Sequence, residues 1–393
     1  MTPFERTIAS NVDTGGRPAV DPRILLALWV YATTKGETRA AEIAELCQMH
    51  KAYQWICGGV HVAEHTLSDF RVDHEEALEA THQQIVELAI GEGLVDPSVT
   101  AQDGTRIRAS AGTGSFRRLS SLHQEREQVM RAVDKAEAVA SDPRRSKVAR
   151  AAAIRGAKDR LERIEGAIEQ AQEIVDDKHL SEPQAGDKKR APRVSTSDPE
   201  ATVMKMGDGG FRPAYNVQFA TAADGSGVIL GVDVTMRGSD QGEMAPMLVQ
   251  LEERTGQRPE RHWVDAAYAS HDAIEAAAEA GTTVYAPLPK KLAEPGSERE
   301  AKYSEPSRAW IDRMQSDEGK AKYKLRGEVA ELTNARAKSR YGLSGLRVRG
   351  LIAACCCALL VAITANVERT ISLRASAERL PGANAAVSAA SVA

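Results

Sequence analysis

The sequence predicts a mixed α/β fold preceded by a helical unit, and three observations predict it. Apolar residues recur at helical spacing through the first hundred positions. The spacing changes to alternation over Ser98–Arg108 and again from Ala214. From there to Pro287 short strand and helix patterns take turns. At 393 residues the chain exceeds what one ordinary core supports. The expected units are a helical one over 1–96, a mixed α/β one over 97–368 and a flexible tail over 369–393. A helical hairpin and a basic linker are expected to interrupt the second unit at 113–197.

Asp21-Pro22 is a helix start signal, and Ile24, Leu25, Leu28, Trp29 and Tyr31 supply one apolar face. Ala40–Met49 and Leu67–Leu94 continue the helical pattern, with Gly58-Gly59 as punctuation. Ser98–Arg108 reads as a strand broken by Asp103-Gly104. Leu119–Val139 and Arg144–Asp176 are long, charged and alanine-rich, and Ser141-Asp142-Pro143 makes a turn between them. Asp177–Ser197, with Asp187-Lys-Lys-Arg190, reads as a linker. Ala214–Thr221 and Gly227–Thr235 are a strand pair joined around Asp224-Gly225. Helix Met244–Arg254, strand Arg261–Val264, helix His271–Ala280 and strand Thr282–Pro287 follow. Lys290–Ser316 reads as irregular, and Tyr323–Arg340 as a helix. The uncharged run Leu351–Val367 is short and polar for a membrane span, so a buried core helix is expected.

Apolar residues at 42% and charged residues at 27% give the balance of a soluble globular protein. Five cysteines, three of them adjacent, exclude a secreted disulfide framework. Met1–Val20 is polar and proline-broken, unlike a leader, so the cytoplasm is the expected location. The net charge of −4 hides an uneven distribution. Met1–Thr100 carries 7 basic against 15 acidic residues, whereas Lys320–Gly350 carries 9 basic residues against Glu328 and Glu331. That cationic strip is where a phosphodiester backbone would bind.

Three acids stand out: Asp103 and Asp265, each expected at a strand end, and Glu331 on the basic helix. Lys338 follows Glu331 by seven residues, about 700° of rotation, so both share one helix face about 10 Å apart. Carboxylates in such a set suit Mg²⁺, a hard ion that takes oxygen ligands. Paired Mg²⁺ ions stabilise the attacking and leaving oxygens when phosphodiesters are cut and rejoined. Each acid also has a plain structural reading as turn, helix cap or solvated side chain. Cys57, His61 and His65, with Cys47 and His50 upstream, have ligand types for Zn²⁺, although Gly58-Gly59 breaks the helix that would present them.

Several motifs in fixed order carry a family resemblance. They are Gly16-Arg-Pro-Ala-Val-Asp-Pro-Arg-Ile-Leu-Leu, His65-Thr-Leu-Ser-Asp-Phe-Arg71, Asp103-Gly-Thr105, Asp198-Pro-Glu-Ala, Tyr215-Asn-Val-Gln218, Asp265-Ala-Ala-Tyr268, Tyr323-x2-Arg326, Glu331-x6-Lys338 and Arg349-Gly350. Together they resemble the DDE transposases of bacterial insertion sequences, of the IS-four/IS-five-like superfamily, over about Gly16–Asn366. The resemblance implies an RNase H-like catalytic core and Asp103, Asp265 and Glu331 as a catalytic triad binding Mg²⁺, with Mn²⁺ able to substitute. It implies Tyr323, Arg326, Lys338 and Arg349 as DNA contacts. The implied partners are double-stranded DNA, both element ends and target, and further copies of the chain in a dimer or larger synaptic assembly. In a regular helix Arg326 would stand 140° from Glu331 and serve DNA outside the metal pocket. Ala267 stands where the family usually has Gly, and Leu332-Thr-Asn334 where it usually has Pro and an aromatic residue. Glu328 is an alternative third acid, and Asp233 and Asp240 are alternatives for the second. A nuclease without strand transfer and a catalytically decayed DNA-binding relic are the alternative functions.

Overall fold

The computed structural model describes residues 19–141, 144, 146–177, 192–289, 292 and 303–379. The start of the Gly16 motif, most of the Ser141–Pro143 turn, the Asp187–Arg190 stretch and the final residues of the tail lie outside them.

Five helices come first: α1 (Pro22–Thr34), α2 (Ala40–Met49), α3 (Lys51–Cys57), α4 (Glu64–Val72) and α5 (Glu75–Gly91). The Asp21 carboxylate accepts the Arg23 amide at 2.9 Å and Pro22 opens α1, as its start signal predicts. Trp29 anchors the group, its indole donating to the Leu67 carbonyl at 3.0 Å under the Arg71 guanidinium. The single run expected over Leu67–Leu94 is two helices. The backbone leaves helical geometry at His74, and Glu75 and Glu76 then stabilise a fresh N-terminus.

The sheet is built on β1 (Val99–Arg108), which pairs without interruption with β5 (Phe211–Ala222), antiparallel from Thr100↔Ala222 to Arg108↔Ala214. Asp103-Gly104 therefore lies mid-strand and does not break it. Glycine is required there by a close approach: a β-carbon would stand 2.3 Å from Asp240 Oδ1 and 2.5 Å from Gln218 Nε2. β4 (Thr202–Lys205) and β6 (Ile229–Thr235) flank the other edge of β5, while β7 (Arg261–Trp263) and β8 (Thr283–Tyr285) continue from β1 in parallel. α8 (Met244–Thr255) and α9 (His271–Glu279) make the crossovers.

Between β1 and β4 lie α6 (Leu119–Ala140) and α7 (Lys147–Asp177), an antiparallel pair bridged by Arg160–Glu125 and Arg126–Glu165. A short ribbon of β2 (Phe116–Arg118) and β3 (Arg193–Ser195) closes its base, so the expected linker ends in a strand. The stretch expected to be irregular contains α10 (Glu305–Gln315), capped by Ser304 with Pro306 in its first turn. Its sparse apolar face, Trp310 and Met314 among charges, hid it from a periodicity reading.

α11 (Asp317–Arg326) and α12 (Leu332–Ser339) are joined through Gly327–Glu331, and α13 (Leu351–Arg379) ends the described chain. α13 takes in the first part of the expected flexible tail. It is long and apolar enough to cross a membrane, but 67% of its most apolar stretch is buried inside the fold, as expected of a core helix. Leu28, Trp29, Ile43, Leu78, Tyr215, Phe219 and Leu359 share one core, so the N-terminal helices pack with the sheet and α13 as one body. Leu230, Leu251, Trp263, Ile274 and Trp310 form a second core on the other side of the sheet.

Candidate active site

Asp103 projects from mid-β1 towards the α11–α12 segment. Arg326 Nη2 donates to Oδ1 at 2.8 Å and Asn334 Nδ2 to Oδ2 at 2.9 Å. The Asp103 side chain is 22% exposed and that of Arg326 8%. Burial pushes the Asp103 carboxyl above its ordinary range. Arg326 and Asn334 pull it down, and the nearby charges of Asp240 and Asp265 push it up again.

Arg326 reaches Asp103 because the helix is not regular. Gly327–Glu331 forms one π-helical turn packed on β1 and β5. Bonding from i to i+5 adds a residue to the turn, so residues five apart align much as residues four apart do in an α-helix. The regular helix on which Arg326 would stand outside the pocket is therefore not what forms, and Arg326 bonds Asp103 directly. The Glu331 carboxylate folds back to within 3.7 Å of where a Gly327 β-carbon would be. Tyr323, next to Arg326, is half-buried, and burial pushes its hydroxyl up. Lys338 is half-buried too: burial and Arg106 lower its pKa against the pull of Asp103. Asp265 follows β7, exposed, its Oδ1 accepting the Ala266 amide at 2.6 Å. Arg349 lies elsewhere, its Nε 3.4 Å from the Ser110 carbonyl.

These donors suit a divalent ion in kind. Carboxylate oxygens are hard ligands, and each carboxylate has about four lone-pair sites, of which Arg326 and Asn334 take two on Asp103. In spacing they are not gathered: among the described residues no group of three or more His, Cys, Asp or Glu side chains could hold an ion. The same holds for Cys57, His61 and His65, and the buried Cys57 serves the core of the N-terminal helices.

A model of the transposase DDE domain matches residues 174–367, and a model of a second transposase domain matches residues 1–73. The chain belongs to the DDE transposases of insertion sequences. No curated protein and no solved structure matches it. The first match spans Asp265 and Glu331 but begins after Asp103.

In this transposase the remaining motif residues hold the frame. Asp240 is buried, accepting from Asn216 at 2.7 Å, Gln218 at 2.9 Å and Arg106 at 2.9 Å. It braces β1 and β5 beneath Gly104. Asp233 bonds its neighbour's amide and Glu328 is exposed. Asp198 accepts the Tyr215 hydroxyl at 2.6 Å and the Gly350 amide at 3.1 Å, and Glu200 accepts the Leu351 amide at 2.8 Å. The Asp198-Pro-Glu stretch thus caps α13 and ties it to β5. Sequence reasoning missed Asn334 as a ligand of Asp103, having marked it only as a departure from the family pattern. Its eight-residue offset from Arg326 puts both on Asp103 only once the π turn is known.

Proposed function

We propose that this transposase cuts DNA at the ends of its insertion sequence and joins those ends to target DNA, on an RNase H-like core. The observation that carries this is Asp103 on the central strand, held by Arg326 and Asn334 of the α11–α12 segment with Asp265 following the adjacent parallel strand, in a chain that matches the transposase DDE domain. Asp103, Asp265 and Glu331 suit a divalent ion, Mg²⁺ or Mn²⁺, in kind, and would have to draw closer than they stand here to hold one, which when bound would supply Lewis-acid stabilisation of an in-line displacement. Lys338 steadies the scissile phosphate from the same side of the pocket, and Tyr323 and Arg326 border it. Arg349 contacts DNA further off. Water hydrolyses the phosphodiester at the element end to a 3′-hydroxyl and a 5′-phosphate, and that hydroxyl then attacks a target phosphodiester and displaces a target 3′-hydroxyl. One such bond is exchanged for another, so no outside energy source is needed. Both ends must be held together, which calls for a dimer or larger assembly on double-stranded DNA.

Excision and integration from a plasmid carrying the gene with its native flanks test this. Wild type should excise and integrate the element, and Asp265→Ala should reduce both at least 100-fold. Cutting without joining would show a nuclease, and end binding with neither reaction would show a decayed copy.

A further inference from the structure

A cavity of about 620 Å³ lies beyond the end of β1, where the α1–α2 turn meets the loop after α12. Its floor is a backbone contact: Gly342, with φ +75°, lies so close that a β-carbon would be 2.6 Å from the Gly36 carbonyl. One wall is fixed by the Leu346 amide, which donates to the Arg108 carbonyl at 2.7 Å. The other wall is the turn carrying Thr38 and Arg39.

The charges around this cleft are unevenly satisfied. Arg39 pairs with Glu37 and Glu42, Arg106 with Asp240, and Arg340 with Glu368. Arg108 and Arg347 line the cleft, are exposed, and form no ion pair among the described residues. Unbalanced cations facing one polar cavity favour an anion there. The rest of the lining is Gly, Ser and Thr with Ala109, Leu346 and the ion-paired Glu37 and Arg39, and it holds no aromatic ring on which a base could stack. Two guanidiniums without a carboxylate partner beside small polar residues suit phosphate oxygens.

Arg108 is five residues from Asp103, about 17 Å along β1 at roughly 3.4 Å per residue. The odd spacing in an unbroken strand puts the two side chains on opposite faces, so the cleft lies off the end of β1 and not in line with Asp103 on one face. We infer that this cleft grips the backbone of the DNA being cut, away from the bond at Asp103, through Arg108 and Arg347. This rests on the DNA-cutting function proposed above. It gives the N-terminal helices, which supply the Thr38–Arg39 wall, a share in aligning DNA with a pocket they do not line.

The test uses the full-length protein and a duplex bearing the element end, with affinity followed against salt. In the Arg108→Ala/Arg347→Ala double variant the slope of log affinity against log salt should fall by about 1.8, about 0.9 for each lost phosphate contact. Arg108→Lys/Arg347→Lys should keep the wild-type slope. Neutral methylphosphonates placed one at a time along the element end should, at one or more positions away from the cut, weaken wild-type binding several-fold and leave the alanine variant unaffected. An unchanged slope in the folded alanine variant, or equal weakening of both proteins at every position, would overturn the cleft assignment while DNA cutting by wild type stood. A wild type that neither binds nor cuts the duplex would overturn both.

Discussion

Asp103 is a carboxylate held by two donors before any substrate arrives. Its folded pKa is raised above the ordinary 3.8 by burial, so the stability its neutral form provides is full below 3.8. That contribution is lost as pH rises through the folded value, and at neutral pH the ionised group depends on Arg326 and Asn334. Asn334 is matched to this task alone, since its own Oδ1 is buried without a partner. Arg326→Met should therefore leave a half-buried charge under-compensated and cost roughly 2–4 kcal/mol at pH 7. The deficit should shrink near pH 4, where Asp103 is closer to neutral in both proteins and the pair has less to offer. Urea unfolding of both proteins at the two pH values measures it. An equal deficit at both would mean that Arg326 acts through packing alone.

The element that sets this geometry is the π turn, and the sequence pattern does not reveal it. Helical periodicity is legible over Tyr323–Arg340 because Ala330, Thr333 and Ala337 face inward. Which carbonyl each amide bonds is not written in that pattern, so arithmetic at 100° per residue does not bring Arg326 and Asn334 together on Asp103. Asp103-Gly104 misled for a related reason. The pair has turn chemistry, but its glycine answers to Asp240, more than a hundred residues away, and no local window contains that demand. Strand pairs with alternating patterns and helices with caps, such as β5–β6 and α1, were readable because their signals are local. If the π turn holds one residue more than an α-helix needs, removing the exposed Glu328 should convert it to α-helix and leave Arg326 four residues from Glu331, still on the same face. Excision activity should survive within about tenfold, with circular dichroism unchanged. Inserting an alanine at the same point should abolish excision. Loss of activity on deletion, with the helix intact, would show that the π geometry itself is required.

At the scale of the whole molecule, a few buried polar links join elements far apart in sequence, which is why units that look separate by composition fold as one body. His82 on α5 bonds the Ile229 carbonyl at 3.0 Å, and Arg254 and Asn366 each approach its ring at 3.2 Å. One imidazole thus joins an N-terminal helix to β6, α8 and α13. His262 does the same within the sheet, between Thr100 at 2.7 Å and Gln102 at 3.1 Å. Burial lowers both pKa values to about 3, with Arg254 adding to the effect at His82. Each histidine is neutral in the fold and titrates near 6.5 when unfolded. Their contribution to stability is full above 6.5 and is lost as pH falls from there towards 3. The expected slope is about 1.4 kcal/mol per pH unit for each histidine, and the two together can remove several kcal/mol by pH 5 from a total on the order of 10 kcal/mol. The raised carboxyls of Asp198 and Asp233 act in the opposite sense, but comparison with a single-site variant cancels them. His82→Gln keeps an amide donor for Ile229 without the titration. Between pH 6.5 and 5 its stability should fall about half as steeply as that of wild type, as read by urea midpoints at quarter-unit steps. Parallel pH profiles for the two proteins would mean that His82 is not held neutral by the fold, and that the joint between the N-terminal helices and the sheet is looser than its hydrogen bonds imply.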